Sequence, residues 1–327
     1  MLQPYLLVVS SLIFGNAHTK ITCITHKILS RIEVYKRAQE NSLIKKEENM
    51  NDFIREILSY GELFKRMRQA EKVVEAEKIP YGSHKSQYFL YYEPKEIISG
   101  KVIVWVHGGG WNSGSPEYFD FVGQCFSKHG YSCISIGYRL SPKNKYPSQI
   151  QDVCAGFKGA LDFLKSRKVN CSKLVVSGPS AGAHLTSLLC YSKEIQESEK
   201  IDISNVIGFI GVGGPYKFDE KSGLALKILL AQLFEKGYER KKAEPYSMIR
   251  ESNIPMLLIQ SEHDGVIHIS STKEFFEKAK IRVKDCQLYW VQDAKNTHSW
   301  YTTGMFLESR SEYKALDKFF SWIENLN

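Results

Sequence analysis

Gly178-Pro179-Ser180-Ala181-Gly182 follows, after Ser177, on the apolar run Leu174-Val175-Val176, and from Ala181 to Leu189 small residues give way to apolar ones at helical spacing. Strand, sharp turn and helix are therefore expected in that order. A Gly-x-Ser-x-Gly turn exposes its serine on a strained backbone, so the residues on either side must be small if strand and helix are to close on each other. Gly178 and Gly182 supply that clearance, and Ser180 is the candidate nucleophile.

A second glycine motif lies upstream. His107-Gly108-Gly109-Gly110-Trp111 follows the apolar run Val102-Ile103-Val104-Trp105-Val106, with room for two strand-helix units before the serine. Attack on a carbonyl creates an oxyanion that must meet backbone N–H groups already aimed at it, and side chains there would obstruct the approach. Gly109 and Gly110 are the expected donors from this loop. Ala181, next to the serine, is the third.

A serine nucleophile needs a base, and the base needs a carboxylate to hold its tautomer and orientation. On a strand-to-helix elbow these residues follow in the order nucleophile, acid, histidine. Asp264, just past Pro255-Met256-Leu257-Leu258-Ile259-Gln260, fits the acid, and His298, in the loop after Gln287-Leu288-Tyr289-Trp290-Val291, fits the base. Among the other histidines, His107 is expected to brace the glycine loop and His184 to pack beneath the site, while His263 and His268 flank the acid's loop. Glu262, Asp285, Asp293 and Asp219 are weaker candidates for the acid.

These residues resemble the α/β-hydrolase superfamily, in the esterase branch of hormone-sensitive-lipase-like carboxylesterases and arylformamidase-like enzymes. Gly137-Tyr138-Arg139-Leu140-Ser141-Pro142 and Tyr146-Pro147-x-x-Ile150-x-Asp152 look like the segment those esterases place between the fourth strand and the helix before the elbow. The likeness runs over about residues 86 to 327. It implies a mostly parallel eight-stranded sheet with helices on both faces, an acyl-enzyme, a small-molecule ester substrate, and neither metal nor organic cofactor. Tyr138 and Arg139 read as loop-pinning residues. Two other activities stay open: hydrolysis of an aryl formamide such as N-formylkynurenine, and a catalytically silent binding module.

The core alternates as a parallel sheet requires, with strands expected at Lys101–Val106, Tyr131–Ile136, Leu174–Val176, Val206–Val212, Pro255–Gln260 and Gln287–Val291. Ile150, Val153, Phe157, Leu161 and Leu164 mark the helix that leads to the nucleophile strand. Residues 218 to 250 interrupt the alternation where this fold commonly carries a cap, so a helical cap insertion is expected there.

Before the core, residues 18 to 85 form a helical extension with apolar positions at Phe53, Ile54, Ile57, Leu58 and Phe64. It could act as a lid, rest on a membrane surface, or be solvated. Residues 1–17 resemble a secretory leader without its charged start and leave three readings open, a cleaved signal, a short anchor or an N-terminal helix packed on the protein, with export favoured over a cytoplasmic location.

The net charge of +8 comes with no nucleic-acid module, so no nucleic-acid partner is expected. Seven cysteines, an odd number, argue against a complete disulfide framework, and none stands in a paired metal-binding spacing. Cys133, Cys154 and Cys190 read as core.

Overall fold

The computed structural model describes residues 52–218 and 223–327. The leader, the first part of the extension, Cys23 and Asp219 lie outside the described residues. The elements run α1 (Asp52–Arg68), β1 (Glu77–Pro80), β2 (Tyr88–Tyr92), β3 (Val102–Val106), α2 (Asp120–Lys128), β4 (Ser132–Ile136), α3 (Ser148–Ser166), β5 (Leu174–Pro179) and α4 (Ala181–Tyr191). They continue with α5 (Lys193–Glu199), β6 (Val206–Val212), α6 (Leu224–Leu233), α7 (Pro245–Met248), β7 (Met256–Ser261), α8 (Ile269–Ala279), β8 (Cys286–Val291), α9 (His298–Thr302) and α10 (Lys314–Glu324).

All eight strands join one sheet in the order β1-β2-β4-β3-β5-β6-β7-β8. β2 pairs antiparallel with both β1 and β4, and the remaining pairs are parallel. Successive residues of a strand point to opposite faces, so a sheet covered on both sides must be apolar throughout. β3 shows this directly: Val102, Val104 and Val106 enter one buried cluster, and Ile103 and Trp105 enter the other. α3, α4 and α8 contribute to the first cluster, and α2 and α10 to the second. Helices therefore cover both faces.

One expectation is corrected. The extension was expected to be helical up to residue 85, but the sheet begins at Glu77, and α1 is its single helix among the described residues. β1 is a short edge strand, mostly exposed and ending at Pro80, a proline tolerated there because an edge leaves one side without ladder partners. Cys133, Cys154 and Cys190 are buried, and every described cysteine is a free thiol.

The segment after β4 is pinned by charge. Asp152, on α3, accepts hydrogen bonds from the Arg139 backbone N–H, Nε and Nη2, each at 2.8 Å, and from Gln87 Nε2 at 2.8 Å. The carboxylate is enclosed, with its side chain 2 % exposed. Tyr138, next to Arg139, is also buried and lends its hydroxyl to the glycine loop. The pair is thus structural, as the sequence suggested. Asp152→Ala strips one buried partner from several donors, a change of the kind that costs about 3–5 kcal/mol. Urea unfolding is expected to show a stability loss of that order, well above an exposed-surface control substitution.

Candidate active site

The elbow forms as its glycines require. Ser180 sits at φ 50° and ψ −120°, a left-handed φ that a non-glycine residue adopts only when its surroundings force it. Its N–H donates to Val212 O at 2.8 Å, tying the turn to the end of β6. A Cβ on Gly182 would lie 2.0 Å from Val106 O, and one on Gly178 would lie 2.6 Å from the Gly182 carbonyl carbon. Both positions admit glycine alone.

The glycine loop presents amides by disposing of its carbonyls. Tyr138 Oη donates to His107 O at 3.1 Å and Gly108 O at 3.2 Å, and His107 Nδ1 also donates to Gly108 O, at 2.7 Å. Gly109 O accepts the Asn112 N–H at 3.2 Å and the Ser113 N–H and Oγ at 3.0 and 2.8 Å. The N–H groups of Gly109, Gly110 and Ala181 meet no acceptor among the described residues. Gly109 and Gly110 adopt φ of 98° and 58°. A Cβ would strike Ser113 O at 2.3 Å from the first and Leu229 on α6 at 2.8 Å from the second.

His107 and His184 are fixed in support. His107 stacks on Tyr138 with ring centroids 4.3 Å apart, and burial pulls its pKa down to about 4. His184 accepts from Trp111 Nε1 at 3.3 Å and donates through Nε2 to Ala243 O at 2.7 Å, and burial lowers its pKa to about 4 as well. Both are held neutral.

Asp264 and His298 meet. His298 Nδ1 donates to Asp264 Oδ2 at 2.7 Å, and the Asp264 side chain has no exposed surface. The same oxygen accepts from Tyr301 Oη at 2.5 Å and Gln260 Nε2 at 3.2 Å, while Oδ1 accepts the N–H groups of Val266 and Ile267 at 2.8 and 2.7 Å. Burial alone would raise this carboxyl's pKa, but the His298 charge and these donors outweigh it and hold it below its ordinary value. Burial likewise opposes a charged His298, yet Asp264 and, more weakly, Glu56 raise its pKa above the ordinary histidine value.

The other described acid candidates do not reach His298. Asp293 accepts the first two N–H groups of α10 at 2.7 and 3.1 Å. Glu262 and Asp285 are exposed. His263 contacts Asp52 at 3.2 Å, and His268 caps α8.

Ser180, His298 and the three loop glycines line one cavity of about 100 Å³. No hydrogen bond joins Ser180 Oγ to His298, whose Nδ1 is engaged by Asp264. Most of the remaining wall is apolar and aromatic, with Ser299, Thr302 and Thr303 as its polar members. Tyr60, Leu63, Phe64 and Met67 come from α1, Leu226 and Leu229 from α6, and Tyr118 and Phe119 from the segment before α2. A roomier cavity of about 510 Å³ shares no lining residue with this one. The α1 wall was foreshadowed by the lid reading of the extension and, at the residue level, by Phe64 in the helical pattern. Tyr60 and Met67 carried no signal of their own.

The sheet order, the elbow after β5 and the histidine after β8 define an α/β-hydrolase fold. Within that fold the chain belongs to the BD-FAE family, whose model matches residues 90–279, more than half of it. Among curated proteins it is similar to Esterase LipC of Mycobacterium tuberculosis, 23% identical over 228 residues that make up 64% of this chain and 56% of LipC. The chain thus spans about half the length of that relative, and a quarter or less of others such as the Tulipa gesneriana tuliposide A-converting enzyme 2, which is 34% identical over 96 residues, 26% of this chain and 25% of that enzyme.

Among solved structures, esterase B from Lactobacillus rhamnosis superposes with a TM-score of 0.67 at 18% identity, covering 84% of this chain and 94% of its own. The hyperthermophilic esterase of the archaeon Pyrobaculum calidifontis gives 0.64 at 18%, with 84% and 93% covered. At such identities these likenesses establish the fold.

Two outcomes are expected. Gly182→Ala, forced against Val106 O, should cost about 3 kcal/mol or more, read as a lowered melting temperature. With esters as substrates, kcat/KM should fall as pH drops through a midpoint above about 6.5, the ordinary histidine value, because the raised pKa of His298 keeps the imidazole protonated, and unable to act as base, to a higher pH.

Proposed function

We propose that this protein is a serine hydrolase that cleaves carboxylic esters of small, neutral acyl or aryl groups through an acyl-enzyme. The observation that carries this reading is the His298–Asp264 pair at 2.7 Å, whose histidine lines the same cavity as Ser180, Gly109 and Gly110. Rotation of the Ser180 side chain toward His298 Nε2 lets the imidazole take the hydroxyl proton as Oγ attacks the carbonyl carbon. The oxyanion forms at the N–H groups of Gly109, Gly110 and Ala181, each such donor being worth roughly 10²- to 10³-fold in turnover. Asp264 steadies the imidazolium, which then protonates the departing alcohol. Water, deprotonated by the same histidine, releases the carboxylate.

The cavity supports the choice of substrate. At about 100 Å³ and walled by Tyr60, Phe64, Trp111, Tyr118 and Phe119, it suits a short acyl chain or a single ring better than a long acyl chain. Among the described residues, its lining holds no ionisable group besides His298 and two tyrosines, so a charged acid meets no carboxylate, lysine or arginine there. The names of LipC and esterase B as esterases, and the phosphonate-inhibited form of esterase B, agree with ester cleavage. The compact aromatic wall also accommodates a formanilide, which uses the same three residues.

Purified protein is expected to hydrolyse p-nitrophenyl acetate and butyrate at least about tenfold faster than long-chain esters, since each misfit methylene costs a hydrophobic pocket about 10-fold or more. Ser180→Ala should lose on the order of 10⁶-fold in turnover. Equal rates for the two proteins would remove Ser180 from the mechanism, and a large preference for a formyl anilide would replace the ester with the formamide.

A further inference from the structure

α1 lies outside the sheet yet grips the two loops that carry His298 and Asp264. One stripe of the helix is polar, and each of its members reaches those loops. Asp52 Oδ1 meets His263 Nδ1 at 3.2 Å, Arg55 Nη2 donates to Asn296 Oδ1 at 3.0 Å, and Ser59 Oγ meets Ser299 Oγ at 3.0 Å and accepts from Thr297 Oγ1 at 3.1 Å. Glu62 pairs with Lys295 at 2.9 Å. The central member is Glu56, 1 % exposed, whose Oε1 accepts the Ser299 N–H at 2.9 Å.

That N–H belongs to the residue after His298, in the first turn of α9, where backbone donors lack intrahelical partners. Thr297, which precedes the helix, makes no side-chain cap, its hydroxyl being turned to Ser59. Glu56 therefore does the capping from another element. Its second oxygen, Oε2, is buried and meets no hydrogen-bond partner among the described residues. A carboxylate spent only on a cap would need one oxygen and no charge. An amide or a serine would serve as well, at a smaller desolvation cost.

We infer that Glu56 is a positioning residue for the reaction: its buried carboxylate seats the histidine-bearing turn and supplies a second negative charge, beside Asp264, to the imidazolium of His298. The inference rests on the hydrolase reading above. The titratable groups around the pair are Asp264 from the loop after β7, Tyr60 from α1 and Tyr301 from α9, with Asp52, Arg55 and His263 at the more exposed rim. Burial raises the pKa of Tyr60 and Tyr301 well above the ordinary phenol value, so both stay neutral. Burial also raises the Glu56 pKa, against the pull of His298, the largest influence favouring its charged form.

Glu56→Gln separates charge from capping, because the amide carbonyl keeps the Ser299 bond. Kinetics on a p-nitrophenyl ester across pH, for wild type, Glu56→Gln, Glu56→Ala and Ser180→Ala, make the test. Without the Glu56 charge the imidazolium is less favoured, so His298 sheds its proton at lower pH. The acid limb of kcat/KM should move down by about 0.5 unit or more, with kcat above the limb falling about three- to tenfold and the melting temperature little changed. Glu56→Ala should lose activity and melting temperature together. A Glu56→Gln profile superimposable on wild type would overturn the role of Glu56 while an inactive Ser180→Ala leaves the hydrolase reading standing. A fully active Ser180→Ala would overturn both.

Discussion

The site depends on one close approach. The backbone around Ser180 is held at a positive φ because α4 runs hard against the end of β3, with Gly182 beneath Val106 O at a distance that leaves no room for a methyl group. That contact joins the two glycine motifs. β3 and β5 are neighbours in the sheet, so the loop leaving β3 and the turn leaving β5 emerge side by side. The N–H groups proposed to meet the oxyanion leave from these two neighbouring loops, and the carbonyls of the glycine loop are bound by Tyr138, His107 and Ser113.

The other half of the site comes from the far side of the sheet. β7 and β8 are also paired, and the loops beyond them carry Asp264 and His298 into contact. Five donors converge on Asp264, enough to keep a fully enclosed carboxylate charged in surroundings that would otherwise neutralise it. α1 and α6 then close the cavity from outside the sheet with aromatic and aliphatic side chains. The scaffold sets the polar geometry, and the two outer helices enclose the cavity together with Trp111, Tyr118 and Phe119.

Much of this was legible in the chain because the residues concerned have few alternatives. Glycine at 178 and 182 and the run at 108–110 answer to backbone sterics, and the chain order limits the acid and the base. β3 to β8 could be read from apolar runs, since both faces of a parallel sheet are buried. Tyr88–Tyr92 was harder: it pairs antiparallel and carries no motif. Glu77–Pro80, short, polar and ending in proline, looks like a linker until its pairing to Tyr88–Tyr91 is seen. Glu56 was invisible for a related reason. A glutamate on an amphipathic helix reads as a solvated residue, and its burial arises only when α1 docks on loops some 240 residues further along the chain.

The most direct measurement is covalent capture. A fluorophosphonate places a tetrahedral phosphoryl group where the acyl transition state would sit, and peptide mapping by mass spectrometry reports which side chain it joins. The account requires one adduct, on Ser180, with its formation abolished by heat denaturation. A folded protein that takes no label, or takes it on another residue, would contradict it.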